Sequence, residues 1–407
     1  MDYKEIKSCR ICGTKKLTEY LDLGEVPLCN QLLNVGELSK EQYPIKMLLC
    51  PTCFLSQLSI VVDPKILYSS YLYHSSISNT FKNHCRDMAR TIKDILRPEH
   101  NCENFLVVDI ASNDGCLLEQ FKNEGYYTMG VEPSKNLVDE AEKKGISTIH
   151  GFWGESIIDR VPACDVITAT NVFAHVDDVR GFIELAKNKL RVYHKGMIVI
   201  EIPYAANLFN YMQFDTIYHE HLSYFLFKPL YELFLLAGCP IFRVDHVPMH
   251  GGSLRIYASP YDRTVDKSVP ETLIKEEAMG FYKEKTYHEF RENIEFIRED
   301  LPFLLFSLNE EGKKVMGYGA SAKGISLLNY CGLNHTDIHS IVDETPCKIG
   351  KITPGSLIPI VSFSAFEKEK PDYILLLAWN FSEELIAKTK HLGAKYIIPI
   401  PQVVVLP

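Results

Sequence analysis

Between Asp215 and Phe225 the chain reads DTIYHEHLSYF, setting imidazoles, carboxylates and phenols side by side. Histidine exchanges a proton near neutral pH, and an adjacent carboxylate or phenol can orient it or relay the proton. Such a cluster suits removal of a proton from substrate together with stabilisation of the charge left behind. In a plain strand successive side chains alternate faces, so Tyr218 and Glu220 would part from His219 and His221. Either a turn gathers these groups, or only some of them act.

A second chemistry is written in cysteine. Cys9-Arg-Ile-Cys12-Gly13 and Cys50-Pro-Thr-Cys53 are two C-x-x-C knuckles in the first part of the chain. Each knuckle can give two thiolates to one tetrahedral ion, and Gly13 permits the tight turn that aims backbone amides at sulfur. Four thiolates leave no open position for a catalytic water, so the zinc expected here is structural. The interval LTEYLDLGEVPLCNQLL must fold as a small excursion of its own.

These groups need a scaffold. The 407 residues, 46% of them hydrophobic, suffice for several cores. From FLVVDI onward, apolar runs (YYTMGVEP, CDVITATN, KGMIVIEIP) alternate with amphipathic helices, the pattern of a parallel sheet covered on both faces. A charge-rich helical stretch follows, then a second such block: KKVMGYGAS, AKGISLLNYCGL, HSIVDETP, DYILLLAWN and KYIIPIPQVVVL. The expected architecture is α/β in three parts. A zinc-binding domain spans 1–65, a doubly wound Rossmann-like domain 66–250, and a C-terminal Rossmann-like domain 251–407.

In such sheets ligands sit at the carboxyl ends of the strands. The first turn, Asp109-Ile-Ala111-Ser-Asn113-Asp-Gly115, has the spacing of an acid-x-Gly-x-Gly-x-Gly donor turn, with Ala and Asn in the first two glycine positions. Asn tolerates positive φ, whereas Ala111 implies negative φ there. Glu132, ending the next strand, is placed to accept from ribose hydroxyls. The second turn, Gly317-Tyr-Gly319-Ala-Ser-Ala322, followed by Asp343, fits a dinucleotide fingerprint better by spacing. A nicotinamide-dependent oxidoreductase is therefore a rival reading, and a non-catalytic zinc-bearing scaffold a third.

Taken in order, CRICG…CPTC, SNDG, NVFAHV, IYHEHLSYF, MHGGSLR, GYGASAKG and PDYILLLAWNFSEEL resemble the S-adenosylmethionine-dependent sugar C-methyltransferases that act on nucleotide-linked 4-keto-deoxysugars. The resemblance covers nearly the whole chain. It implies a zinc-binding domain, a central donor domain and a C-terminal domain that helps hold the nucleotide sugar, so that the second glycine turn cradles a diphosphate rather than nicotinamide. It further implies donor contacts from Asp109, Ala111, Asn113, Gly115, Glu132 and Asn171. His221 is expected to take the C3 proton, Glu220 to orient its imidazole, and Tyr218 to donate to the keto oxygen or exchange roles with His221. His175 is expected beside the enolate, and Tyr73, preferred to Tyr71, to supply a further phenol. His250, Gly251, Gly252, Ser253 and Arg255 are read as an anion clamp, with contacts added by Ser321 and Lys323. Trp379 is read as a core aromatic near the ligand cleft.

The formal charge of −9, without a run of Lys or Arg, argues against nucleic acid as a partner. No apolar run approaches the roughly 18–20 residues that span a bilayer, and MDYKEIKSCR lacks a secretory apolar core. A membrane is thus not an expected partner, and the cytoplasm is the expected location. Neither the sugar carrier nor the oligomeric state is legible.

Overall fold

The computed structural model describes residues 2–37, 41–68, 75–77, 79–96, 105–193 and 195–407. Tyr71 and Tyr73 lie outside the described residues. Among the described residues no helix is long and apolar enough to cross a membrane.

The N-terminal region is built on β1 (Tyr3–Glu5), β2 (Thr18–Val26), β3 (Tyr43–Leu49), β4 (Ser56–Leu58) and β5 (Ile60–Val62). Along β3 buried and half-buried residues alternate, as a strand with one face on a core requires. The two cysteine knuckles close alike: the Gly13 N–H donates to the Cys9 carbonyl (3.0 Å) and the Phe54 N–H to the Cys50 carbonyl (2.8 Å). Both closing residues take positive φ, 72° at Gly13 and 61° at Phe54. Only the first carries the glycine that signals such a turn.

The central sheet holds β6 (Leu106–Ile110), β7 (Tyr127–Glu132), β8 (Thr148–His150), β9 (Val166–Thr170) and β10 (Met197–Pro203). A short β11 (Ser223–Tyr224) intervenes in the chain before β12 (Ile241–Val247) and β13 (Ser253–Ala258) complete the sheet. The strand order is β12-β13-β10-β9-β6-β7-β8, with β6 to β10 mutually parallel and β13 antiparallel to both β10 and β12. Strand order reverses at β6, so the ligand crevice lies at the carboxyl ends of β6 and β9. β11 leaves this domain and pairs with β4, Ser223 opposite Gln57 and Tyr224 opposite Ser56. The boundary expected at residue 250 divides a sheet, because β13 pairs with β10 over Ile198–Pro203.

The charge-rich stretch forms the helices Ser268–Ala278 and Glu284–Glu310. The longer one buries Tyr287, Phe290, Ile294, Ile297, Leu301, Leu305 and Leu308, a stripe at three- and four-residue spacing, and turns its charges outward. Beyond it come β14 (Val315–Tyr318), β15 (Ile341–Val342), β16 (Ile360–Val361), β17 (Tyr373–Leu376), β18 (Lys395–Ile398) and β19 (Val404–Leu406), in the order β16-β15-β14-β17-β18-β19. That is the doubly wound dinucleotide-fold order, with its crevice between β14 and β15 on one side and β17 on the other.

Arg255 corrects the sequence reading. It stands directly opposite Glu201 in the β10–β13 ladder, where paired side chains share a face. Its Nε donates to Glu201 Oε2 (2.8 Å), and His84 Nε2 lies 2.7 Å from Glu201 Oε1. Arg255 is 4% exposed and Glu201 0%, so the guanidinium braces the central sheet and is no anion clamp. Burial alone would raise the Glu201 carboxyl, but His84 and Arg255 together hold it below its ordinary value. Breaking one side of a buried pair strands the other charge. Glu201→Gln is therefore expected to lower the unfolding free energy by about 3–5 kcal/mol, read from the denaturant midpoint; an unshifted midpoint would contradict the brace.

Candidate active site

The Sγ atoms of Cys9, Cys12, Cys50 and Cys53 all lie within 4.8 Å of one another, with Cys9–Cys53 and Cys12–Cys50 each at 3.5 Å. A tetrahedron with Zn–S bonds of about 2.3 Å has edges of about 3.8 Å, so the four sulfurs fit one zinc ion and leave no ligand position open.

At the carboxyl end of β6 the turn differs from its expectation at Ala111, whose φ is 54°; Asn113 follows at 53° and Gly115 at 79°. The left-handed turn lets the Ser112 N–H donate to the Val131 carbonyl (3.2 Å) and the Gly115 N–H to the Ser112 carbonyl (3.0 Å), so the turn is laced to β7 despite a strain of about 1–2 kcal/mol at alanine. Glu132 Oε2 accepts from the Asn113 N–H (2.9 Å) and Oε1 from the Ser134 N–H (2.8 Å). Each carboxylate oxygen has a second acceptor position, available to a ribose hydroxyl. Asp109 takes the Thr168 hydroxyl at 2.6 Å and is pushed by burial up to about 7. Asn171, just past β9, has a φ of 56°, and its buried Oδ1 has no hydrogen-bond partner. The side chains of Asn113 and Asp114 accept the Ser75 and Ser76 N–H groups (3.0 and 3.2 Å), so the segment before the helix Asn79–Leu96 closes over the turn. Spare acceptors on Glu132 and an unpartnered amide oxygen at Asn171 fit an adenosyl donor carrying hydroxyls and an ammonium group.

The opening stretch is gathered by turns. Phe214–Thr216 forms a single 3-10 turn, and the His221 N–H donates back to the Tyr218 carbonyl (3.0 Å). This brings Tyr218 and His221 together, with the Tyr218 hydroxyl 3.1 Å from His221 Nε2. His221 Nδ1 lies 2.9 Å from the Thr216 carbonyl, which can only accept. The ring therefore carries its proton on Nδ1, and Nε2 accepts from the phenol. His175, in the turn Phe173–His175, packs edge-on to His221 with ring centroids 4.9 Å apart. Its Nδ1 meets the Tyr68 hydroxyl at 2.8 Å. Burial, reinforced by His221, drives the His175 imidazole well below its ordinary value and keeps it neutral.

Glu220 does not orient His221. Its Oε1 accepts from Asn30 Nδ2 (2.6 Å) in the excursion between the cysteine knuckles, because the turn sends Glu220 away from the histidine. His219 is structural: it is buried, 3.1 Å from the Tyr43 carbonyl, and burial lowers its imidazole to about 4. Sequence reasoning missed Tyr68, Asn30 and the Thr216 carbonyl; of these only the phenol is a residue type that signals chemistry.

The glycine-rich stretch from His250 is a strand-entry turn packed on its neighbours. The Gly251 carbonyl accepts from Asn207 (3.2 Å) and Gln213 (3.4 Å), the Gly252 carbonyl from the Tyr204 N–H (3.1 Å), and the Ser253 hydroxyl donates to the Met249 carbonyl (3.1 Å). A Cβ at Gly252 would sit 1.9 Å from Asn207 Nδ2. In the C-terminal domain Ser321 caps the helix Ala322–Tyr330 by accepting the Gly324 N–H (3.2 Å). Lys323 Nζ lies 5.6 Å over the Trp379 ring and, although buried, has no hydrogen-bond partner. Trp379 is more than core: its indole N–H donates to Asp215 Oδ2 (2.7 Å), so the first residue of the proton-handling stretch touches the wall of the second crevice. Burial raises the fully buried Asp215 carboxyl, and the Lys323 charge opposes that. Asp343 is occupied by the N–H groups of Ala320 and Thr345 (2.9 Å each) and by Lys348 (3.2 Å).

The structure therefore brings together Tyr218, His221, His175 and Asn171. It brings the Lys323 charge within reach of Asp215, keeps Ser321 as a helix cap, turns Glu220 toward Asn30, and leaves Arg255 in the central sheet. Burial pushes Glu220 up to about 7, with Asn30 opposing. An acid whose folded value exceeds its unfolded value binds more protons when folded, so its contribution is present below the ordinary range and lost as pH rises toward 7. Glu220→Gln is expected to stabilise the protein by about 1–3 kcal/mol at pH 8 and to change little near pH 4, by chemical denaturation; equal effects at both pH values would mean that the carboxyl is not perturbed.

Comparison with known proteins places this geometry. Residues 9–68 match a zinc-binding domain family, 81–243 a methyltransferase domain and 248–401 the C-methyltransferase C-terminal domain. C-methyltransferase NovU of Streptomyces niveus is 34% identical over 410 residues, covering 98% of this chain and 96% of that protein. Among solved structures, magnesium protoporphyrin IX methyltransferase (ChlM) from Synechocystis PCC 6803 with bound SAH is 12% identical. It covers 46% of this chain and 89% of its own, with a TM-score of 0.36. A SAM-dependent methyltransferase from Clostridium acetobutylicum ATCC 824 is 13% identical, covering 45% and 93%, with a TM-score of 0.34. The full-length relative and the three consecutive matches assign the chain to the C-methyltransferase family.

Proposed function

We propose that the protein transfers the methyl group of S-adenosylmethionine to C3 of a nucleotide-linked 4-keto-deoxysugar through a base-generated enolate. The observation that carries this reading is the row Tyr68–His175–His221–Tyr218 beside the carboxyl ends of β6 and β9. A carbon next to a ketone has a pKa far above that of any side chain, so its deprotonation needs a positioned base and a group that holds the oxyanion. Tyr218 and His221 form the base. With Nδ1–H bound to Thr216, His221 Nε2 receives the proton, directly or through the phenol as the phenol takes the C–H proton.

In this reading His175, kept neutral and supported by Tyr68, holds the keto oxygen. Two imidazoles this close do not both charge readily, which reserves the proton for one of them. The donor supplies an electrophilic methyl group when bound. Asp109, Glu132, Asn171 and the Ala111–Gly115 turn are the residues that would hold it, and their part is to fix its position, since methyl transfer gains mainly from holding both partners in reach. Lys323, with Ser321, is the group proposed to meet the diphosphate.

Incubation with S-adenosylmethionine and a panel of nucleotide 4-keto sugars is expected to add one methylene to one of them, detected by mass spectrometry. In heavy water the enzyme should exchange hydrogen at C3. His221→Ala should abolish exchange, with S-adenosylhomocysteine affinity kept by calorimetry, and Tyr218→Phe should slow it by about 10²–10⁴-fold. Exchange unaltered in His221→Ala removes that residue as base, exchange at C5 moves the site of methylation, and heat from NAD(H) in place of the donor would replace the reading by an oxidoreductase.

A further inference from the structure

Within the first zinc knuckle sits a guanidinium that metal binding does not use. Arg10 is buried at its charged end, with its side chain 3% exposed. Its Nε donates to Asp177 Oδ1 (3.2 Å), and its Nη1 donates to the carbonyls of Leu58 (3.3 Å) and Leu222 (3.1 Å). Its own backbone N–H donates to Gln57 Oε1 (3.0 Å). Asp177 lies on the loop just past His175, and Leu222 follows His221. The two loops also touch directly, the Leu222 N–H donating to the Ala174 carbonyl (2.8 Å), while the Leu58 N–H takes the second acceptor position of Leu222 (3.0 Å).

We propose that Arg10 is a positioning residue that fixes His175 and His221 against each other from the zinc knuckle. The planar fork holds a carboxylate on one loop and a carbonyl on the other in fixed relative directions, whereas the three donors of an ammonium rotate on a flexible stem and set no such geometry. Arg10 Nη2 is buried without a hydrogen-bond partner, a desolvation cost that an apolar side chain filling the same space would avoid. The two loops flank one imidazole each, and the rings meet at 4.9 Å. Slippage of either loop alters that distance, and release of the Leu222 carbonyl next to His221 frees the imidazole to turn from the Thr216 carbonyl. This inference rests on the reading of the histidine pair as the proton-handling groups.

The test uses the full chain loaded with zinc, in wild type, Arg10→Gln, Arg10→Lys and Asp177→Asn. Asp177→Asn leaves the knuckle sequence untouched and keeps the test decisive should a change at Arg10 prevent folding. Zinc content and S-adenosylhomocysteine affinity are measured first, and both are expected within twofold of wild type. Nitrogen-15 NMR of the imidazoles should show the Nδ1–H form of His221 in wild type and an averaged tautomer in Arg10→Gln, with Arg10→Lys recovering little of the wild-type signature. Methyl transfer should fall by about tenfold to a hundredfold in kcat with KM nearly unchanged. An unaltered tautomer signature and kcat in Arg10→Gln, or in Asp177→Asn where Arg10→Gln does not fold, overturns the proposal, as does loss of zinc in step with loss of turnover. A wild-type protein that methylates none of the sugars yet shows the tautomer response would sink the substrate assignment and leave Arg10 in its role.

Discussion

The pairing of Ser223 and Tyr224 with Gln57 and Ser56 is the constraint from which the site follows. A turn that carries side-chain chemistry has few backbone hydrogen bonds of its own, so its geometry must come from whatever grips its ends. Here one end becomes an edge strand of the zinc-bearing sheet, and the other, at Asp215, is fastened to Trp379 of the C-terminal domain. The turn between them carries Tyr218 and His221. Zinc contributes no ligand position for substrate, yet it shapes the site, because it consolidates the sheet to which that turn is stitched.

Within the turn a single carbonyl does the electronic sorting. The Thr216 oxygen accepts from His221 Nδ1 and from the Tyr224 hydroxyl (3.2 Å), filling both of its acceptor positions. That choice fixes the tautomer and leaves Nε2 as the basic nitrogen. A carboxylate in the same place would favour the imidazolium and leave less of the ring as free base at rest, whereas a carbonyl orients without adding charge. The sequence offered Glu220 for this role on the analogy of carboxylate-assisted histidines. The turn directs it to Asn30 instead, where burial favours its neutral form.

What could be read from the sequence and what could not separate along a physical line. Regular elements announce themselves through side-chain pattern: the run Leu106–Ile110 and its parallel partners, the alternation along β3 and the buried stripe of Glu284–Glu310 follow from period and hydrophobicity. The thiolates of the two knuckles and the phenol–imidazole pair of the proton-handling stretch announce themselves by residue type. Groups that act through the backbone have no such mark. The Thr216 carbonyl resembles that of any other residue, and Phe54 closes a knuckle at positive φ without the glycine that flags Gly13. Ala111 was misread for the same reason, since its conformation is fixed by lacing to Val131 rather than by its own preference. Arg255 failed differently: an arginine after two glycines looks like an anion clamp until strand register sets it opposite Glu201.

The presence of two Rossmann-like crevices in one chain is easier to understand from their charges than from their glycines. The crevice at β6 and β9 is lined by Asp109, Glu132 and Asp114, with Lys144 bound to Asp114 (3.1 Å) as its counter-charge. Burial raises the carboxyls of both Asp109 and Glu132, a cost that a cation brought close would offset. The crevice at β14 and β17 has the opposite balance. Its acidic strand-end groups, Asp343 and Glu344, are matched by Lys348 and Lys388, and the Lys323 ammonium remains without a hydrogen-bond partner beside Trp379. Under the proposed reading a sulfonium donor belongs in the first crevice and a diphosphate in the second. Each ligand then meets a desolvated group: the raised carboxyls in the first crevice, and in the second the Lys323 ammonium, which has Asp215 as a nearby charge but no hydrogen-bond partner. Asp343, like Glu132, is held by two backbone N–H groups and keeps an acceptor position on Oδ1, so the difference between the two crevices lies in Lys348 and Lys323 and not in that carboxylate. The electrostatics thus favour a division of labour over a duplicated site, with the histidine pair near the seam between a cation-seeking wall and an anion-seeking one.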